Sequence, residues 1–187
     1  YLVCGAGAMG MAFVDTVVTE SNKTVVLVDK HSAPGGHWND AYPFVTLHQP
    51  AAFYGVNSEP LGPGGTYLAS GIEVLAYYEK VLTKWEKTGR LQFFPRCEYT
   101  GENHFRSLMN QGREYSVDVK KKTVDSTYMN VTVPSTRPPR YEVAEGVRVM
   151  PPNDLSRLSD TPADYVVVGA GKTGMDAVLF LLEEGCE

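Results

Sequence analysis

The run Leu2-Val3-Cys4-Gly5-Ala6-Gly7-Ala8-Met9-Gly10 constrains the fold more than any other stretch of the chain. An apolar strand leads into glycines spaced G-x-G-x-x-G, and an amphipathic run from Met11 to Thr19 follows. Strand, tight turn and helix in that order aim the backbone N–H groups of a helix N-terminus at a pyrophosphate. The glycines supply the turn, the close approach and the helix–strand contact. A glycine triplet alone is weak evidence. Here a second apolar strand, Thr24 to Val28, ends in Asp29, at the separation where a ribose-binding carboxylate is expected.

The same order returns near the far end. Ala163-Asp164-Tyr165-Val166-Val167-Val168 leads into Gly169-Ala170-Gly171-Lys172-Thr173-Gly174, and Met175 to Glu184 reads as an apolar-faced helix. Two fingerprints separated by a strand-rich insert point to two dinucleotides facing each other. Lys172 does not make the second a P-loop, because that motif sets its glycines further apart and places Lys-Ser/Thr directly after the second.

Between the fingerprints, Pro34-Gly35-Gly36-His37-Trp38 forms a loop that can bring backbone close to a ligand, or simply a turn before a core Trp. From Tyr42 to Gly71 the chain lacks regular pattern, and a loop of that length is usually functional or mobile. Tyr42, Phe44, His48, Gln49, Phe53 and Tyr54 could line a pocket there; His48 could equally be a satisfied buried histidine. Ile72 to Lys87 reads as a packed amphipathic helix without chemistry, ended by Gly89. Strands are then expected at Leu91–Phe94, Cys97–Thr100, Phe105–Met109, Glu114–Val119 and Thr127–Val133, with a hairpin turn at Asn110-Gln111-Gly112. Lys120-Lys121-Lys122 reads as a solvated turn. Proline-rich Val133 to Pro139 stops the last strand. The expected organisation is α/β: a Rossmann-like FAD-binding domain with a β-rich insert over 1–140, a linker over 141–162, and the start of a second Rossmann-like, NAD(P)-binding domain over 163–187.

Composition narrows the partners. A net charge of −5 over 187 residues offers no general attraction to nucleic acid or anionic membrane. Cys4, Cys97 and Cys186 lack C-x-x-C spacing, so neither a zinc site nor a redox dithiol is expected, and a disulfide reductase reading loses its dithiol. No stretch is apolar enough to span a bilayer, and the first residues read as a core strand rather than a signal. The expectation is a cytoplasmic protein with a small-molecule substrate and no metal, its self-association left open.

Taken together, Gly5-Ala6-Gly7-Ala8-Met9-Gly10, Asp29, Gly35-Gly36-His37-Trp38 with Tyr42-Pro43 behind it, and Gly169 to Gly174 resemble the N-terminal part of a two-dinucleotide-binding-domain flavoprotein. The nearest group is the flavin-containing and Baeyer–Villiger monooxygenases. The resemblance implies FAD pyrophosphate on Gly5, Gly7, Ala8, Met9 and Gly10, adenosine ribose on Asp29 beside Lys30, and the ribityl–flavin region against Gly36, His37 and Trp38. NADP or NAD would lie on Gly169, Gly171, Lys172, Thr173 and Gly174, and Cys97 completes the cofactor-binding set. A nicotinamide would deliver hydride to the flavin, which would pass electrons to oxygen or another acceptor. His48 and Gln49 are the candidates for catalytic polar contacts near the flavin.

Three features depart from the group. His48 stands where Asn or Asp is frequent. The F-x-G-x-x-x-H signature is absent from Gly146 to Leu155. Val131-Thr132-Val133-Pro134-Ser135 replaces an Ala-Thr-Gly turn. The flavoprotein reading is therefore broader than the monooxygenase reading, and a nucleotide-sensing module without turnover is the alternative. The sequence ends at Cys186-Glu187, where the second strand of the second domain is expected, and so reads as a truncated piece.

Overall fold

The computed structural model describes residues 1–127, 135, 137–158 and 164–186. The first unit runs β1 (Leu2–Cys4), α1 (Ala8–Glu20), β2 (Val25–Val28), two short 3-10 turns (Gly36–Asp40 and Ala51–Phe53), α2 (Gly71–Glu86) and β3 (Leu91–Phe94). It continues through β4 (Cys97–Gly101), β5 (His104–Ser107), β6 (Glu114–Ser116) and β7 (Thr123–Asp125). A single turn, α3 (Pro152–Leu155), and the helix α4 (Lys172–Glu183) follow.

β3, β2, β1 and β7 form a parallel sheet in that order, and β4, β5 and β6 form an antiparallel one. Successive side chains of a strand point to opposite faces. Accordingly Val3, Val25, Leu27 and Leu91 pack with Met11 and Val14 of α1 and Val74, Tyr78 and Trp85 of α2. Leu2, Cys4 and Val28 pack instead with Cys97 and Phe105 of the antiparallel sheet. The parallel sheet is thus covered on both faces, helices on one side and an antiparallel meander on the other. That explains why its strands read as unbroken apolar runs.

α2 starts at a full capping box: Ser70 Oγ accepts the Glu73 N–H, and the Glu73 carboxylate accepts the Ser70 N–H. The β5–β6 hairpin turns at Asn110–Arg113, with φ of 50° at Gln111 and 73° at Gly112 and a 3.0 Å bond from Arg113 N–H to Asn110 O. Positive φ at both central residues matches the right-handed twist of the strands.

Of three expectations, one falls outside the described residues and two need correction. The strand beside β1 is Thr123–Asp125; the expected strand Thr127–Val133 lies, beyond Thr127, outside the described residues, as does most of the stretch Val131–Ser135. Ala163 also lies outside, and Asp164–Val168 is not a strand: Val166 and Val168 are 90% and 71% exposed. A parallel strand draws its hydrogen bonds from neighbours, and no described strand pairs with this segment. Third, the 42–71 loop is pinned rather than loose, through Gly71 N–H to Val45 O (2.9 Å), Leu47 N–H to Ala69 O (2.8 Å) and Ala51 N–H to Tyr67 O (2.8 Å). Leu47, Ala51, Val56, Leu61 and Ala69 anchor it in the core.

Candidate functional site

In the order β3-β2-β1-β7 the strands after β1 add first to one side of it and β7 to the other, and the carboxyl ends of parallel strands at such a reversal of strand order are where open α/β sheets bind ligands. The first fingerprint sits there. Gly5 has φ of +100°, and a Cβ on Gly10 would lie 1.9 Å from Gly5 O, so only glycine lets helix and strand close to this distance. Gly7 precedes α1 without any side-chain cap, and the first helical turn carries no acid. The N–H groups of Ala8, Met9 and Gly10 come before the first intrahelical bond, from Met11 N–H to Gly7 O (2.9 Å). An uncapped helix start concentrates positive potential and unused donors, the requirement for an anion. α2, with its capping box, has no such opening.

The Gly35-Gly36 loop closes over this turn. Gly35 N–H donates to Ala6 O at 2.8 Å. Gly36, at φ +56°, lies against Gly7 so closely that a Cβ on it would stand 2.8 Å from Gly7 Cα. Trp38 is buried, donates from Nε1 to Tyr54 Oη at 2.6 Å, and stacks with His37 at 5.3 Å. His37 has one edge in solvent; its covered face favours the neutral imidazole and pulls its pKa below the ordinary value, with Asp40 opposing.

Asp29 is 6% exposed and organises the same corner. Its Oδ2 accepts Ala6 N–H at 2.6 Å, and its Oδ1 accepts His31 N–H at 2.7 Å and faces His31 Nδ1 at 2.9 Å. His31 Nε2 reaches Asp40 at 2.8 Å. A carboxylate has about four acceptor directions; three are used, and one is left for a ligand hydroxyl.

The second fingerprint repeats the first in backbone detail. Gly169 has φ of +135°, a Cβ on Gly174 would lie 2.3 Å from Gly169 O, and Gly171 precedes α4 at φ −82° where Gly7 precedes α1 at φ −80°. α4 likewise has no side-chain cap and no acid in its first turn. Its start docks on the 42–46 segment. Lys172 Nζ donates to Thr46 O (2.5 Å) and to Asp176; Tyr42 Oη donates to Asp176 (2.8 Å) and accepts from Thr173; Phe44 stacks on Phe180 at 4.3 Å. Burial and the Asp176 bond push the Tyr42 hydroxyl up to about 12.

The expected site residues therefore fall into groups. Gly5 to Gly10, Asp29, Gly36, His37 and Trp38 converge on one corner, and Gly169 to Gly174 form a second turn of the same build. Lys30 and His48 are exposed and Gln49 is half-buried on the pinned loop. Cys97 reaches the corner through its backbone, its N–H donating to Asp29 O (2.9 Å), while its thiol packs in the apolar cluster with Cys4 and Phe105. The proposed aromatic pocket is corrected: Tyr54 packs on Trp38, Phe44 on α4, and Phe53 is 79% exposed, so these rings diverge. Clefts of 260 and 440 Å³ lie elsewhere, the first by Tyr1 and Arg90, the second by Leu61 and Tyr67.

Ser126 escaped the sequence reading. Its Oγ lies 2.6 Å from Cys4 O and 2.8 Å from Gly5 O, fixing the fingerprint turn from the end of β7. Only the register of β7 on β1 brings it there. Among the described residues no group of His, Cys, Asp and Glu could hold a metal, and no helix is long and apolar enough to cross a membrane.

No protein-family model matches the chain. Uncharacterized proteins of Mycobacterium tuberculosis and Mycobacterium bovis are 52% identical to it over 193 aligned positions, covering 97% of this chain and 35% of theirs. The chain thus spans about a third of the length of the curated relatives it matches. Among solved structures, a cyclohexanone monooxygenase mutant from Rhodococcus sp. Phi1, bound to NADP+, superposes on 98% of this chain and 36% of its own, with a TM-score of 0.57 at 21% identity. A flavin-containing monooxygenase from Stenotrophomonas maltophilia covers 67% of this chain and 37% of its own, with a TM-score of 0.48 at 23% identity. The first likeness shows the fold: α/β, a Rossmann-like unit with an antiparallel insert, followed by the opening turn and helix of a second.

Proposed function

We propose that the protein is an FAD-dependent oxidoreductase that uses NADPH, with residues 1–140 as the FAD unit, 141–162 as the linker and 163–187 as the opening of the NADP unit. The observation that carries this reading is the pairing of two uncapped, acid-free helix starts, each behind the same glycine turn, in one chain. Both turns fit a dinucleotide, because in each a Cβ on the third glycine would collide with the carbonyl of the first, the close helix–strand contact that such a turn is built on. The overall likeness to a monooxygenase bound to NADP+ agrees with it.

When bound, NADPH would supply hydride and FAD would accept it and pass the electrons on. The chain's own residues bind and orient. The N–H groups of Ala8, Met9 and Gly10 donate to the FAD pyrophosphate, and the free acceptor direction of Asp29 takes a ribose hydroxyl. Gly36 lets backbone approach the phosphates, and His37 and Trp38 wall the ribityl side. Backbone N–H groups of Lys172, Thr173 and Gly174 serve the second pyrophosphate. His48 and Gln49 are the candidate polar contacts beside the flavin ring. Oxygen is the proposed final acceptor, with a small organic molecule as the substrate oxygenated.

The test is the small molecule bound to the full-length protein, extracted and identified by absorbance and mass. FAD in about equal amount to protein supports the reading. A colourless protein that takes up no FAD while binding NAD overturns it and leaves a nucleotide-sensing module.

A further inference from the structure

We infer that Lys172, Asp176, Tyr42 and Thr46 form a latch that sets the second nucleotide turn against the first, and that Lys172 is a positioning residue rather than a phosphate ligand. A lysine at the first position of a helix behind a phosphate-binding turn is a ready point charge for that phosphate. Here its ammonium is spent: it donates to Thr46 O at 2.5 Å, lies 3.4 Å from Thr46 Oγ1, and pairs with Asp176 one turn further along α4. The Asp176 side chain is 16% exposed, and the same carboxylate oxygen also accepts the Tyr42 hydroxyl at 2.8 Å. Beside this polar cluster the rings of Tyr42, Phe44 and Phe180 form a column, with centroids 4.9 and 4.3 Å apart, and Ala177 and Leu181 bury the rest of this helix face.

The partner segment is connected to the first site. Residues 42–46 follow directly from the loop in which Gly36 lies on Gly7 and Trp38 is locked by Tyr54, so the chain runs from the first cradle to the second helix through packed residues. Three hydrogen bonds and one ring stack then fix the second turn on that path, and the Lys172–Asp176 pair braces them from within α4. Hydride transfer requires donor and acceptor atoms near contact distance, and small displacements cost large factors in rate. The latch therefore governs hydride transfer more than the affinity for either nucleotide. Its kinetic consequence rests on the proposed function; its structural consequence does not.

The experiment uses the full-length protein and the variants Y42F, D176N, K172M and K172M/D176N. Two readouts are taken: anaerobic flavin reduction at saturating NADPH together with the Kd for NADP+, and amide hydrogen exchange of segments 42–47 and 172–184 without added nucleotide. The latch predicts that D176N and K172M each slow reduction about tenfold or more while FAD content holds and the Kd for NADP+ moves less than about threefold. It also predicts faster exchange in both segments. The double variant recovers part of the loss, because a lone buried charge is worse than none. A K172M protein that binds NADP+ about tenfold more weakly yet is reduced at the wild-type rate at saturation makes Lys172 a phosphate ligand and overturns the proposal. Unchanged exchange in every variant also overturns it, whether or not the protein holds FAD. A wild-type protein without FAD, in which the variants still speed exchange, refutes the proposed function and leaves the latch standing.

Discussion

Gly10 is tolerated by the first turn only because it has no Cβ: the nearest atom to one would be Gly5 O at 1.9 Å. Gly10→Ala should therefore force the strand–helix contact open and lose FAD, as measured by flavin content after gel filtration. Asp29 makes a different point. Its placement at the end of β2 was legible from spacing, but its bonds to Ala6 and His31 were not, because they depend on how the Gly35-Gly36 loop returns over the turn. Asp29→Ala should destabilise the protein by about 1–3 kcal/mol even without nucleotide, since it strands the buried Ala6 N–H; denaturant unfolding without added FAD measures this. Cys4 gives a pH signature. Burial, aided by Asp125, raises its thiol from 9.0 to about 12. The folded chain keeps this proton over a range in which the unfolded chain has released it. The thiol's contribution to stability is therefore intact below about pH 9 and declines from there toward about pH 12. Urea midpoints across that range, compared with Cys4→Ser, report it.

Elements were legible where the pattern was long and local. α2 is expected over Ile72–Lys87 and spans Gly71–Glu86, because its apolar stripe is written in consecutive residues; the Ser70-x-x-Glu73 cap at its start went unread. Removing the cap with Ser70→Ala should cost about 1 kcal/mol, read as a shift in the urea midpoint with an unchanged slope. β7 was missed because Thr123-Val124-Asp125 is too short to display alternation; only its pairing with β1 defines it. The segment before the second fingerprint misled in the opposite sense. Its valine run has strand character, yet Val166 and Val168 face solvent without a ladder. Local propensity states what a segment can pair as, and the neighbours decide whether it does.

At the scale of the molecule, the repeated strand–glycine–helix order was plain from the sequence, and the backbone bears out the turn and helix of both copies, from the N-cap φ values to the glycine that no Cβ could replace. What the sequence did not carry is the contact between them. Tyr42 and Asp176 are separated by most of the chain, and nothing in either neighbourhood marks them as partners. Two turns of the same build make the central claim divisible, because each can be broken by one methyl group. Gly174→Ala should leave FAD in place and remove the response to NADPH, whereas Gly10→Ala should remove FAD itself. The direct measurement is anaerobic absorbance of full-length wild type, Gly10→Ala and Gly174→Ala on addition of NADPH. The account predicts a yellow wild type that bleaches, a colourless Gly10→Ala and a yellow Gly174→Ala that does not bleach. A Gly10→Ala protein that keeps its FAD, or a Gly174→Ala protein that bleaches at the wild-type rate, would contradict it.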